Sequence, residues 1–235
     1  NVGVGMEYKL GNHSLSLELS KKYSIIICEL PAHGKSSLNT FQNIDIFRIF
    51  YQKTISKLSN FGEIHLIVGH SFSSYFVSDD EISKKIPTII INPVFEPSDS
   101  FLAGMKLLNK SRFLMIFSNL PVFSPFKAAT LQKTWSLEAN KNIYQNMFLC
   151  QNSARNLLAQ KSTIPIALDK KVFETENYIK IAIIGDKDGT VQPFNEEEFR
   201  KNFPKSDFHI LENSGHLSPM EKPREIAKII FENIK

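Results

Sequence analysis

The sequence predicts an α/β fold: a mostly parallel β-sheet with helices on both faces and one helical insertion. Three observations carry this. Short β-branched runs, apolar on both faces, recur along the chain. Amphipathic helical stripes sit between them. One long apolar, proline-punctuated segment, 97–172, interrupts that alternation without a strand pair of its own. The chain has 235 residues, 42% hydrophobic and 22% charged, enough for one domain with a substantial core and too apolar for wholesale disorder.

Ser24-Ile25-Ile26-Ile27-Cys28 reads as the first buried strand. Ile44, Phe47, Phe50, Tyr51, Ile55 and Leu58 then recur at three- and four-residue spacings and predict a helix. Ile64-His65-Leu66-Ile67-Val68 is the second strand, Thr88-Ile89-Ile90-Ile91 the third and Ile181-Ala182-Ile183-Ile184 the fourth. Asp207-Phe208-His209-Ile210-Leu211 alternates more and reads as a strand nearer an edge. Ile226, Ile229, Ile230 and Ile234 stripe a terminal helix. Alternating strands and helices imply right-handed crossovers. The expected domain division is a core of 1–96 and 173–235, with 97–172 as a helical cap.

The net charge of +4 comes from scattered lysines, a mildly basic surface and not a nucleic-acid footprint. Two cysteines, Cys28 and Cys150, are too few for a disulfide framework, and a reduced cytoplasmic protein is expected, with Cys28 a buried thiol. No apolar run approaches the roughly 18 residues of a membrane span. Metal-ligand spacing such as His-Glu-x-x-His is absent, as is a glycine-rich phosphate loop after a strand, so neither a metal nor a cofactor is expected.

Gly69-His70-Ser71-Phe72-Ser73-Ser74 follows a buried strand, and Tyr75-Phe76-Val77 can open a helix behind it. A serine hydroxyl is a weak nucleophile until a base takes its proton. A sharp strand-to-helix turn thrusts that hydroxyl out of the sheet and needs small residues two before and two after it. The pattern here is Gly-x-Ser-x-Ser, with Ser73 where glycine is usual.

Near the end, Asn213-Ser214-Gly215-His216-Leu217 presents an imidazole on a loop between a strand and the last helix. Histidine is the side chain best suited to shuttle a proton near neutral pH. Ile184-Gly185-Asp186-Lys187-Asp188 follows another buried strand, and a carboxylate there can fix the imidazole's tautomer. The order Ser–acid–His favours Asp188 over its rival Asp186, with Glu96 a more distant candidate. All three segments follow strands, where catalytic groups gather in open α/β sheets.

These residues resemble the α/β-hydrolase superfamily, in its branch of small capped esterases, thioesterases and carbon–carbon hydrolases. Glu29-Leu30-Pro31-Ala32-His33-Gly34-Lys35-Ser36 is similar to the family's Asp-x-Pro-Gly-His-Gly-x-Ser loop. Gly185-x-x-Asp188 is similar to its acid loop, and Gly215-His216-Leu217-x-x-Met220-Glu221-x-Pro223 to its histidine loop. The family also carries two or three strands ahead of the position of Ser24, so the first strands are expected to be missing from this sequence. The third of them ends in a His-Gly pair whose following N–H completes the oxyanion hole. By spacing, Asn1 falls just after that pair and Tyr8 at the aromatic position beyond it.

The resemblance implies a serine hydrolase acting on a small-molecule carboxylic ester or thioester of small to medium acyl length. Ser71 is the expected nucleophile, His216 the base and Asp188 the acid, with backbone N–H groups of Phe72 and Asn1 as oxyanion donors. His70 is expected to support and not to act as base. The cap's apolar content makes Met105 and Met115, with Leu217, expected substrate contacts, and Lys127 and Lys133 could meet an anionic group. Alternatives on the same fold are a carbon–carbon bond hydrolase, an acyltransferase and a non-catalytic ligand-binding protein. The sequence leaves the oligomeric state open.

Overall fold

The computed structural model describes residues 13–28, 44–78, 80–94, 97–111, 113–114, 178–191 and 195–234. Among them, four parallel strands form one sheet in the order β1 (Ile67–His70), β2 (Thr88–Ile91), β3 (Ile179–Gly185), β4 (Asp207–Leu211). Helix α1 (His13–Leu19) and α2 (Ile44–Leu58) precede the sheet. A 3₁₀ turn (Ser71–Ser73) and α3 (Ser74–Val77) follow β1, and α4 (Asp80–Ser83) leads to β2. Helix α5 (Asp99–Lys110) follows β2, α6 (Glu196–Asn202) joins β3 to β4, and α7 (Ser218–Glu221) and α8 (Pro223–Asn233) end the fold.

The two-residue period of the strands builds two cores. Ile90, Ala182 and Ile184 point to one face and pack with Tyr51, Phe72, Tyr75, Phe199 and Phe203. Ile89, Ile91, Ile181 and Ile183 point to the other and pack with Leu15, Leu19, Ile226, Ala227 and Ile230. Both faces are dry, which is why β2 reads as an unbroken TIII run with all four residues buried. Helix α2 fulfils the Ile44–Leu58 periodicity, and α8 buries Ile226 and Ile230 as its stripe requires.

Three expectations need correction. Residues 24–28 are not a strand: Ile25 and Ile26 are 37% and 61% exposed, and β1 stands at the edge of the sheet among the described residues. Across from that edge, 24–28 form one wall of a cleft of about 800 Å³ whose other walls include Leu15, Tyr51 and Leu66. An apolar β-branched run becomes a strand only where a neighbour takes its backbone groups, and composition does not report the neighbour. The run at 64–68 forms its ladder later, at Ile67–His70. Cys28 is a free thiol but only half-buried, and burial raises its pKa. Helices α1 and α6 carry no clear periodicity in the sequence: HSLSLEL is too short for a stripe, and EEEFRKN buries only Phe199.

Of the segment 97–172, the structure describes α5 and its flanks. Helix α5 is capped by the Ser98 hydroxyl, which accepts from the Phe101 N–H. Met115, Lys127, Lys133 and Cys150 lie outside the described residues, as do Asn1, Tyr8, Glu96 and the 29–36 loop.

Candidate active site

The elbow forms because Gly69 and Ser71 each do something backbone-specific. A Cβ on Gly69 would stand 2.3 Å from Val77 Cγ2, so only glycine lets α3 fold back against β1. Ser71 takes φ +53°, a left-handed conformation rare for a non-glycine residue. That conformation is the strained turn which lifts a hydroxyl off the sheet. Phe72 and Tyr75 stack edge to face at 5.5 Å, and the Tyr75 hydroxyl donates to the Val94 carbonyl, anchoring α3 to the loop after β2.

The base arrives from the loop after β4. A Cβ on Gly185 would stand 2.3 Å from the Ser214 carbonyl oxygen and 2.7 Å from that of Gly215. Glycine at the end of β3 is therefore what allows the 213–216 loop to lie against the sheet. Glu221 fastens the loop from the other side: its Oε2 accepts from the Gly215 N–H at 2.7 Å and the Ser214 hydroxyl at 2.8 Å. Asp186, the rival carboxylate, accepts from the Ser214 N–H at 3.2 Å and pairs with Lys187 at 3.3 Å. It braces the loop and is not the partner of the imidazole.

Ser71, His216 and Asp188 meet. Ser71 Oγ lies 2.6 Å from His216 Nε2, and His216 Nδ1 lies 2.9 Å from Asp188 Oδ2. An ionised carboxylate can only accept, so Nδ1 carries a proton and Nε2 is free to accept from the serine. All three residues are buried, Ser71 at 7% exposure, His216 at 4% and Asp188 at 0%. A buried carboxylate is stable only if its lone pairs are filled. Asp188 Oδ1 accepts from the Thr190 N–H at 2.8 Å and the Thr190 hydroxyl at 2.6 Å. Oδ2 also accepts from the Asn92 amide at 3.0 Å. Burial alone would raise the Asp188 pKa, but His216 and the Thr190 donors outweigh it and hold the carboxyl below its ordinary range.

His70 stands beside this row, its ring 5.4 Å from that of His216. Its Nε2 lies 2.8 Å from the His216 carbonyl oxygen, an acceptor only, so Nε2–H is the donor. Burial and the neighbouring His216 push the His70 pKa down to about 3. It therefore stays neutral at physiological pH and braces the main chain of His216, as a supporting role requires.

Of the other expected site residues, Leu217 is buried at 3% beside His216, and Met105 lies half-buried on α5, outside the hydrogen-bonded cluster. Phe72 is the residue after Ser71 and the middle residue of the 3₁₀ turn. Sequence reasoning missed Asn92, Thr190 and Ser98. Asn92 is the first residue past β2 and adopts φ +47°, a conformation asparagine tolerates, at the end of the sheet where functional groups gather. Ser98 N–H donates to the Thr190 carbonyl at 2.7 Å, tying the start of α5 to the acid loop. Among the described residues no group of three or more His, Cys, Asp or Glu side chains is gathered as for a metal ion, and no helix is long and apolar enough to cross a membrane.

A parallel sheet that delivers serine, aspartate and histidine from three strand ends to one rim is the architecture of the α/β hydrolases. The chain belongs to the alpha/beta hydrolase family, whose model matches residues 6–229. No curated protein sequence is significantly similar to it. Solved structures are similar in fold. A thermophilic esterase from Thermogutta terrifontis aligns with TM-score 0.71 at 17% identity, covering 98% of this chain and 86% of that one. The 2-hydroxy-6-oxo-6-phenylhexa-2,4-dienoate hydrolase of Rhodococcus sp. strain RHA1 aligns with TM-score 0.75 at 14% identity, covering 99% and 87%. A lipase-esterase related protein from Clostridium acetobutylicum aligns with TM-score 0.72 at 14% identity, covering 99% and 91%.

Proposed function

We propose that the chain is a serine hydrolase that cleaves a carboxylic ester or thioester of small to medium acyl length through an acyl-enzyme. The observation that supports this most is the 2.6 Å approach of Ser71 Oγ to a His216 ring whose other nitrogen is held by Asp188. In this reading Ser71 Oγ attacks the carbonyl carbon while its proton passes to His216 Nε2. The imidazolium is stabilised by the Asp188 carboxylate, which stays ionised. The tetrahedral oxyanion is held by the Phe72 N–H and by Asn1. His216 then returns the proton to the departing alkoxide or thiolate. Water, deprotonated by the same imidazole, attacks the acyl-serine, and the carboxylic acid leaves as the proton returns to Ser71.

Residues 97–172 are proposed as a lid over Ser71, with Met105, Met115 and Leu217 lining an apolar acyl pocket. The hydrogen bond from Ser98 to Thr190 supports a lid that starts from the acid loop. The half-buried free thiol of Cys28 fits a reducing compartment, and we place the reaction in the cytoplasm.

A panel of nitrophenyl esters and acyl thioesters of graded chain length, run on wild type and Ser71→Ala, tests the proposal. Turnover that peaks at short to medium chains and vanishes in Ser71→Ala is expected. Turnover only of carbon–carbon substrates, only with added alcohol acceptors, or in Ser71→Ala as well would overturn it.

A further inference from the structure

We propose that Ser73 is a positioning residue for the Ser71–His216 pair, its hydroxyl clamping the main chain of His70 at the entrance to the elbow. The proposal rests on the reading of Ser71 as nucleophile. The His70 N–H donates to Ser73 Oγ at 2.8 Å, and the Ser73 hydroxyl donates back to the His70 carbonyl at 2.7 Å. One side chain thus takes both polar groups of one residue, and it is wholly buried while doing so.

The place of the clamp in the sheet explains why it matters. The Ile67 N–H donates to the Pro87 carbonyl on the β2 side. In a parallel ladder the sides alternate along a strand, so the polar groups of His70 face away from β2. Strand β1 is the sheet edge, so those groups have no strand neighbour among the described residues. Left alone, a buried N–H and C=O would be costly and the last residue of β1 free to twist. The Ser73 hydroxyl takes both of those groups at that one position.

Residue 70 is also where the two halves of the site are joined. Its carbonyl side leads directly into Ser71, whose φ of +53° persists only if the residues around it are fixed. Its ring holds the His216 carbonyl at 2.8 Å. A clamp on the His70 main chain therefore sets the serine and the histidine together. A glycine at 73, the residue of the Gly-x-Ser-x-Gly pattern, has no hydroxyl with which to do this.

The test uses a fluorophosphonate probe, which reads nucleophile activation without knowledge of the substrate, on the full chain. In Ser73→Ala and Ser73→Gly, the limiting labelling rate kinact at Ser71 should fall about tenfold while the probe's KI stays within about twofold. A purely structural role would lower the fraction of chains labelled and the melting temperature, leaving kinact of the folded fraction unchanged, and that result overturns the clamp. A wild type that takes no label removes the nucleophile reading and the clamp with it, whereas a labelled wild type with unaffected Ser73 variants removes the clamp alone. Should neither variant fold, hydrogen exchange at the His70 amide of the wild type decides. Strong protection is expected, and exchange at the rate of an exposed amide overturns the proposal.

Discussion

The side-chain amide of Asn92 donates to Asp188 Oδ2, the same oxygen that faces His216 Nδ1, at 3.0 Å. The amide also reaches the Gly215 carbonyl at 3.3 Å, so one residue touches both the acid and the loop of the base. A buried carboxylate serving an imidazole must stay ionised, and each donor lost makes protonation easier.

Asn92→Ala should therefore raise the Asp188 pKa and weaken its hold on the imidazole. The expected outcome is a fall in kcat of about tenfold or more, scaled from the strength of a hydrogen bond to a charged group. The acid limb of the pH–rate profile should move upward as well. A pH–rate profile of wild type and variant on one ester checks both.

The neutral, buried His70 makes stability depend on pH in a defined window. Its folded pKa of about 3 lies below its ordinary value of 6.5, so between these values the unfolded chain binds a proton that the folded chain does not. The stabilisation is complete above pH 6.5 and is lost as pH falls through that range. Between pH 7 and pH 5 the wild type should lose about 2 kcal/mol more than His70→Gln, which has no group titrating there. Urea unfolding midpoints at the two pH values measure the difference.

Gly185→Ala should be severe at a distance from the chemistry. The added methyl meets the Ser214 carbonyl oxygen at 2.3 Å, a backbone atom that cannot swing aside. Either the 213–216 loop or β3 must move. Overpacking of this kind costs about 1–3 kcal/mol. A sub-ångström displacement of His216 should cost about 10²-fold in kcat/KM. Thermal unfolding and turnover of the same preparation separate the two effects.

Glu221→Gln probes the other side of that loop. Its Oε2 accepts two hydrogen bonds, from Ser214 and Gly215, and a neutral amide serves them less well than a carboxylate. Turnover should fall about three- to tenfold with KM nearly unchanged, because this carboxylate holds the loop that carries His216. A KM change larger than the kcat change would argue for a different role.

What the sequence disclosed, and what it did not, follows from the kind of information each feature needs. Ile89, Ile90 and Ile91 are buried on both sides of the sheet, and an apolar run with no alternation says so directly. The Gly69-x-Ser71 turn and the Gly185-x-x-Asp188 spacing are local geometry, so short motifs report them. Ser24 to Cys28 carries an Ile-Ile-Ile run like that of β2 but has no paired strand among the described residues, and pairing is a long-range fact. Asn92 is invisible for the same reason. Its importance lies in reaching Asp188, 96 positions away, and a lone asparagine after a strand is ordinary turn chemistry. Ser73 reads only as a departure from a motif because its two hydrogen bonds run to backbone atoms, which no residue pattern records.

The account's central claim is that His216 takes the proton of Ser71. The most direct measurement is fluorophosphonate labelling with peptide mapping of wild type, Ser71→Ala and His216→Ala. One probe per chain on Ser71 in the wild type is expected, with no label in Ser71→Ala and labelling slowed by about 10³-fold in His216→Ala. Label on any other residue, or a His216→Ala chain that reacts as fast as the wild type, would contradict it.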